Sequence, residues 1–234
     1  MQVVILAGGL GTRLRPLTLQ VPKALVEVAG EPFIDYQIKL LKKNRFRDFV
    51  ICVGYKSDLI EKYLGNGDRF GVSIVYSNDG EKQLGPAGAL KNASPLLKNE
   101  FMVTYGDSYL QMDYARLEEA FHLSGKLGMM AVFENRNAYG KSDVVVREGL
   151  VTLYNKINQS PEMLWINYGA TMLQKVALHF IPDKQNVGEE EFYRFLIENR
   201  ELGAFPTFTR FYEVGTLSGL NEFERFVMAN RSSP

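Results

Sequence analysis

Short apolar runs rich in β-branched residues alternate with helical patterns through the first half of the chain, and that alternation limits the fold more than any other feature. Val3 to Ala7 reads as a buried strand, and Phe33 to Lys43 as an amphipathic helix with Ile34, Ile38 and Leu41 on one face. Phe49 to Gly54 is a second buried strand, Leu59 to Leu64 a short helix, and Val72 to Tyr76 a third strand. Ala87 to Leu97 is a helix, and Phe101 to Tyr105 a fourth strand that ends at Gly106-Asp107. Strand, helix, strand at this spacing requires right-handed crossovers, and therefore parallel strands. Beyond residue 128 the pattern changes to strands joined by short turns: Met129 to Glu134, Asp143 to Arg147, Leu150 to Lys156 and Trp165 to Leu173. The helices Glu189 to Asn199 and Leu217 to Ala229 follow, with a short strand, Phe208 to Val214, between them. The expected fold is α/β, a mixed and mostly parallel central sheet with helices on both faces and a ligand crevice at the carboxyl ends of the strands.

The 234 residues contain no repeat, low-complexity tract or Pro/Gly-rich linker, so one domain over residues 1–234 is expected. Its first half (1–128) would supply the ligand crevice, and its second half (129–234) would close it. Hydrophobic residues make up 46% and charged residues 23%, the balance of a soluble globular chain. Lys plus Arg and Asp plus Glu each number 27, which removes the cationic excess that a sequence-independent nucleic-acid binder needs. The single cysteine, Cys52, cannot form an intramolecular disulfide, as suits a reducing compartment. The apolar run Val3 to Ala7 is too short for a signal segment, and no apolar stretch is long enough to span a bilayer. A cytoplasmic protein with neither membrane nor nucleic-acid partners is expected.

The segment from Leu6 to Leu17 carries the chemistry. It leaves the first strand with three glycines in four positions, Gly8, Gly9 and Gly11, which let the backbone bend tightly and bring N–H groups close to an anion. No Gly-Lys-Ser/Thr follows, so it is not a Walker A loop. Nor is it a dinucleotide fingerprint: Leu14 stands where a third glycine is needed, and the second strand ends in Val53-Gly54-Tyr55 without a ribose-binding acid. Cations follow instead. Arg13 can fork onto phosphate oxygens, and Lys23 comes ten residues later, after Pro22.

Leu6 to Thr18, with Pro22-Lys23, closely resembles the signature of the sugar-1-phosphate nucleotidyltransferases, and the resemblance extends over essentially the whole chain. It implies a Rossmann-like nucleotidyltransferase fold. The implied reaction joins a sugar 1-phosphate to a nucleoside triphosphate with Mg2+, giving a nucleoside-diphosphate sugar and pyrophosphate. By the same resemblance Leu6, Ala7, Gly8, Gly9, Gly11, Thr12 and Arg13 form the first nucleotide loop, and Leu84 to Leu90, with Gly85 and Gly88, the second. Arg13 and Lys23 are the implied catalytic cations. Tyr105-Gly106-Asp107 looks like the metal-binding Gly-Asp, and Asp107 also closes an apolar strand where α/β crevices bind ligands. On the sugar side Tyr139, Gly140, Lys156, Asn167 and Gly169 match the family's pattern, with Lys156 on the acceptor's phosphate.

The sequence departs from that pattern at Glu213, where most relatives carry Asp. The longer side chain can still reach a metal, directly or through a water, or it can pair with a neighbouring cation. The base is open: an acid accepting from guanine N1–H and N2–H would suit Asp79 or Glu81, whereas Gln83 can pair with other bases. The chain resembles the short guanylyltransferases acting on mannose or heptose 1-phosphates more than the long thymidylyltransferases, so GTP is the favoured triphosphate. A role in cell-surface polysaccharide precursors and a monomer or small homo-oligomer are expected. Two alternatives stand beside the enzyme: a non-catalytic nucleotide-sugar-binding regulatory homologue, which the joint retention of Arg13, Lys23 and Asp107 argues against, and a nicotinamide-dependent dehydrogenase. His122 and His179 read as surface residues, Trp165, Phe205, Phe208, Phe211 and Tyr212 as core, and Cys52 as inert. Glu189-Glu190-Glu191, at the start of a helix where negative charge suits the dipole, reads as solvated.

Overall fold

The computed structural model describes residues 1–80, 83–183 and 186–231. In chain order the elements are β1 (Gln2–Leu6), β2 (Glu27–Val28), β3 (Glu31–Pro32), α1 (Phe33–Lys43), β4 (Asp48–Val53), α2 (Ser57–Leu64), β5 (Ser73–Asn78), α3 (Gly85–Asn92), β6 (Glu100–Tyr105) and β7 (Ser108–Leu110). They continue with α4 (Tyr114–Ser124), β8 (Gly128–Glu134), β9 (Val144–Arg147), β10 (Leu150–Tyr154), β11 (Trp165–Gln174), α5 (Glu189–Glu198), β12 (Leu202–Thr207), β13 (Phe211–Glu213) and α6 (Leu217–Arg231).

Nine strands form one mixed sheet in the order β5-β4-β1-β6-β11-β8-β12-β10-β9. The first four are parallel, with β1 between β4 and β6 in the register Val4↔Val50 and Val4↔Val103. From β11 onward the neighbours run antiparallel except for the parallel pair β12–β8. Because side chains alternate across a strand, Val3 and Ile5 of β1 face one core while Val4 faces the other. Ile34, Ile38 and Leu41 of α1, Ile60 of α2 and Leu117 and Phe121 of α4 cover the first face. Ala87 and Leu90 of α3 and Phe192 and Leu196 of α5 cover the second. Helices therefore pack on both faces, as the strand–helix alternation requires.

Two parts of the second half differ from the sequence reading. The expected strand Phe208 to Val214 shortens to β13, which leaves the main sheet and pairs antiparallel with β7 in a ribbon of its own. The sequence reading missed β12, which lies inside the main sheet and ends at Thr207. Pro206 and Gly203 weaken the apparent strand signal of β12, and only the sheet supplies its partner. Phe208, expected in the core, lies in the intervening loop and is 85% exposed. Among the described residues no helix is long and apolar enough to cross a membrane.

The β7–β13 ribbon is held down by α6. Phe223 is fully buried among Phe33, Tyr36, Tyr109 and Phe226, with the Phe33 ring edge-on at 5.3 Å, in a small cluster that includes Val28 and Val214. Phe223→Ala should leave a cavity there and cost about 3–5 kcal/mol of folding stability, read from urea denaturation; a loss below about 1 kcal/mol would show that the ribbon does not depend on this anchor.

Candidate active site

The carboxyl ends of β1, β4, β5 and β6 open into a cavity of about 680 Å³. The glycine loop forms its floor. Ala7 N–H donates to Cys52 O, and Gly106 N–H to Leu6 O at 2.9 Å, so the loop leaves β1 clamped between the ends of β4 and β6. Gly11 then turns with φ +61°, where an added Cβ would lie 2.8 Å from Thr18 Cγ2, and its carbonyl accepts from the Thr18 hydroxyl at 2.8 Å. Behind that turn Leu14 is buried, which holds Arg13 at the rim. A one-turn helix, Lys23–Leu25, buries Ala24 and points Lys23 back into the cavity.

The central contact is the ion pair between Lys23 Nζ and Asp107 Oδ2, 2.5 Å apart. Asp107 follows β6 directly. The ribbon brings Glu213 to it: Glu213 pairs in register with Ser108, and Val214 N–H donates to Asp107 O at 2.9 Å. At Gly215, a Cβ would lie 3.1 Å from both Arg13 Nη2 and Asp107 Oδ2, so the missing side chain leaves room for the guanidinium and the carboxylate. Glu213 is open to the cavity yet walled by protein, and this desolvation together with Asp107 raises its carboxyl above the ordinary value. Lys156, Lys23 and Arg13 pull it back. Among the described residues no three His, Cys, Asp or Glu side chains form a metal cage. Two facing carboxylates nonetheless suit Mg2+, which fills its remaining positions with phosphate oxygens and water.

The opposite wall comes from β9, β10 and β11. Between Asn167 and Thr171 the register of β11 against β8 shifts, and Gly169, with φ +100°, occupies that irregularity. The bend presents Asn167, whose Oδ1 accepts from Gly169 N–H at 3.0 Å, to the cavity. Tyr139 and Gly140 lie on a loop tied by Asn135, which donates to Gly140 O and accepts from Tyr139 N–H. Lys156 enters from the end of β10, together with Asp143 and Glu189.

The cavity thus gathers Leu6, Ala7, Gly8, Gly9, Arg13, Lys23, Asp79, Gly85, Asp107, Tyr139, Gly140, Lys156, Asn167 and Glu213 from the residues singled out in the sequence. Gly11, Thr12, Gly88 and Gly169 do not line it. Gly88 N–H and Ala87 N–H at the start of α3 donate to Val187 O, so those amides are occupied within the chain. Glu81 lies outside the described residues.

One reading is overturned. Glu189 is not solvated: it is 8% exposed, and its carboxylate accepts from the Tyr105 and Tyr154 hydroxyls and from Lys156 Nζ. Burial, with Glu190 and Glu213 nearby, raises it above the ordinary carboxylate value, and the Lys156 ammonium and two hydroxyls on its oxygens favour the ionised form against that rise. The dipole argument holds for the position of α5, but not for what α5 packs against. Asp143 was missed as well. It is 6% exposed, accepts from Asn167 N–H at 2.9 Å, and burial pushes it up to about 6. No spacing signal marks it, because a lone acid before a strand resembles any turn residue. Cys52 is buried in the floor with its thiol pushed up by desolvation, an inert wall as read.

A family model described as Nucleotidyl transferase matches residues 2–226. This chain belongs to that family. It is 29% identical over 193 residues to the D-glycero-alpha-D-manno-heptose 1-phosphate guanylyltransferase of Campylobacter jejuni, covering 82% of this chain and 84% of that enzyme. It is 33% identical over 225 residues to a Mannose-1-phosphate guanyltransferase of Kluyveromyces lactis, covering 92% of this chain but only 61% of the relative. A UTP--glucose-1-phosphate uridylyltransferase of Synechocystis is 30% identical over 207 residues, 79% of this chain and 52% of the relative. Among solved structures, HddC from Yersinia pseudotuberculosis complexed with GMP-PN superimposes with a TM-score of 0.79 at 25% identity, covering 97% and 99% of the two chains.

Asp79 sits at the cavity edge with Oδ1 buried and unpartnered, and burial pushes its carboxyl from the ordinary 3.8 up to about 6. An acid raised on folding is penalised when it ionises, so this penalty is absent below the ordinary value, develops between 3.8 and about 6, and is complete above it. Asp79→Asn should therefore stabilise the ligand-free protein at pH 8 and change little at pH 3.5; thermal melts showing the same difference at both pH values would contradict this.

Proposed function

We propose that this chain transfers a nucleoside monophosphate from a nucleoside triphosphate to a sugar 1-phosphate, releasing pyrophosphate. The observation that carries the reading is one continuous cavity with phosphate-type cations on both sides: Arg13 and Lys23 at the glycine loop, Lys156 across from them. A triphosphate along the loop and a phosphate ester at Lys156 meet between them, beside Asp107 and Glu213.

An oxygen of the acceptor phosphate attacks the α-phosphorus. The new O–P bond forms as the bond to the bridging oxygen breaks, and pyrophosphate departs with that electron pair. A phosphate monoester is largely dianionic near neutral pH, so no base is needed, and positioning with charge neutralisation carries the acceleration. Arg13 grips the departing phosphates through its fork. Lys23, held beside Asp107, directs its ammonium to the α-phosphate, where it offsets charge in the transition state. Asp107 and Glu213 would hold Mg2+, which when bound screens the triphosphate and polarises its oxygens. Asn167, with Tyr139 and the Gly140 backbone, faces the sugar hydroxyls.

GTP is the triphosphate we favour. The Asp79 carboxylate at the cavity edge can accept from a guanine N–H, and two of the named relatives are guanylyltransferases. A nucleoside-diphosphate sugar so formed would feed a cell-surface polysaccharide or glycoconjugate.

Pyrophosphate release, measured with each of four triphosphates against a panel of sugar 1-phosphates, should require both substrates and be fastest with GTP. No release from any pair would leave a binding or regulatory role. Glu213→Gln, tested in the same assay, should shift the Mg2+ midpoint upward at least about tenfold, since a neutral amide does not offset the cation, while Glu213→Asp keeps most of the activity. An unchanged midpoint for the Gln variant removes Glu213 from the metal site.

A further inference from the structure

The mechanism above uses Lys156 and Asn167 but not the buried acid between them. Glu189, the first residue of α5, receives three donors on one carboxylate: the Tyr105 hydroxyl on Oε2, and the Tyr154 hydroxyl, at 2.6 Å, with Lys156 Nζ on Oε1. Tyr105 extends the chain, because Asn167 Nδ2 donates to its hydroxyl at 3.5 Å. The next residue of the same helix, Glu190, accepts the backbone N–H of Lys156. The Lys156 ammonium also lies 5.3 Å from the Tyr105 ring centre and 5.8 Å from that of Tyr154.

A lysine on four rotatable bonds at the end of a strand has no fixed position of its own. Here its main chain and its ammonium are both tied to the first turn of α5. A lysine has three N–H donors, and Glu189 engages Lys156 through one oxygen, so donors remain for a ligand oxygen in the cavity. A carboxylate that only filled space would be costly to bury, and an apolar side chain would serve better. What this one does is link the amide of Asn167 to the ammonium of Lys156 through Tyr105.

We propose that Glu189 is a positioning residue for the acceptor, fixing the separation between the ammonium that receives its phosphate and the amide that receives a ring hydroxyl. The selected acceptor is thus a compact polyol phosphate whose hydroxyl and phosphate match that separation. This rests on the assignment of Lys156 and Asn167 to the acceptor under the proposed function.

Steady-state kinetics on three proteins test it. In Glu189→Gln the KM for the sugar 1-phosphate should rise at least about tenfold, with the KM for the triphosphate within about twofold of wild type. Tyr105→Phe keeps the Glu189–Lys156 pair and breaks the link to Asn167. It should raise the acceptor KM in the same selective way and narrow the preference among sugar 1-phosphates, and this variant decides the matter should Glu189→Gln not fold. An unchanged acceptor KM, or equal rises in both KM values, overturns the positioning role. A wild-type protein that turns over no pair at all overturns the functional reading and this inference with it, and the missing wild-type signal tells that failure from the other.

Discussion

Charge crowding in one cavity is the constraint on which the rest of the structure depends. Among the described residues, Arg13, Lys23, Lys141 and Lys156 share the walls with Asp79, Asp107, Asp143, Glu189 and Glu213. Such a set is stable only if each acid is paired, hydrogen-bonded or raised toward its neutral form. The structure uses all three devices: Asp107 pairs with Lys23, Glu189 collects three donors, and Asp79 and Asp143 are pushed up by burial. With every group ionised the walls hold one more negative than positive charge. An anionic ligand therefore gains from such a cavity only where Arg13, Lys23 and Lys156 outweigh the acids beside them.

The fold serves that arrangement by bringing distant segments to one edge. The parallel half delivers backbone turns at the ends of β1, β4, β5 and β6, and the antiparallel half delivers side chains from β9 to β11. The β7–β13 ribbon closes the circuit by pairing Glu213 with Ser108, directly beyond Asp107. Its anchor is the aromatic cluster around Phe223, so the packing of α6 against α1 and the ribbon decides where Glu213 stands.

What was legible in the sequence follows from locality. β1, α1 and β4 are specified by their own periodicity, and α1 spans Phe33–Lys43 as read. The glycine loop, Arg13, Lys23 and Asp107 were visible because their chemistry is compact in sequence or sits at a strand end. The misses share a different cause. Phe208 was assigned to a core it does not reach, since hydrophobicity alone does not say that a loop intervenes. Glu213 stood out as a departure from the family's Asp, but no local signal says that its strand pairs with β7 and so sets it beside Asp107. Glu189 was read from its helix position, whereas its environment is made by Tyr105 on β6, Tyr154 on β10 and Lys156, none of which is near it in the chain.

The central claim is that Lys23, beside Asp107, serves the reacting phosphates rather than acting as a strut of the fold. The pair is part-buried, at 22% and 14% side-chain exposure, and opens onto the cavity, where water and the nearby Arg13 guanidinium can offset Asp107 once the lysine is lost. The direct measurement compares Lys23→Ala with wild type in turnover and in the unfolding midpoint of the ligand-free protein. The account predicts a fall of about 10²–10³ in kcat with a nearly unchanged midpoint; near-normal turnover, or a collapse of the midpoint, would contradict it.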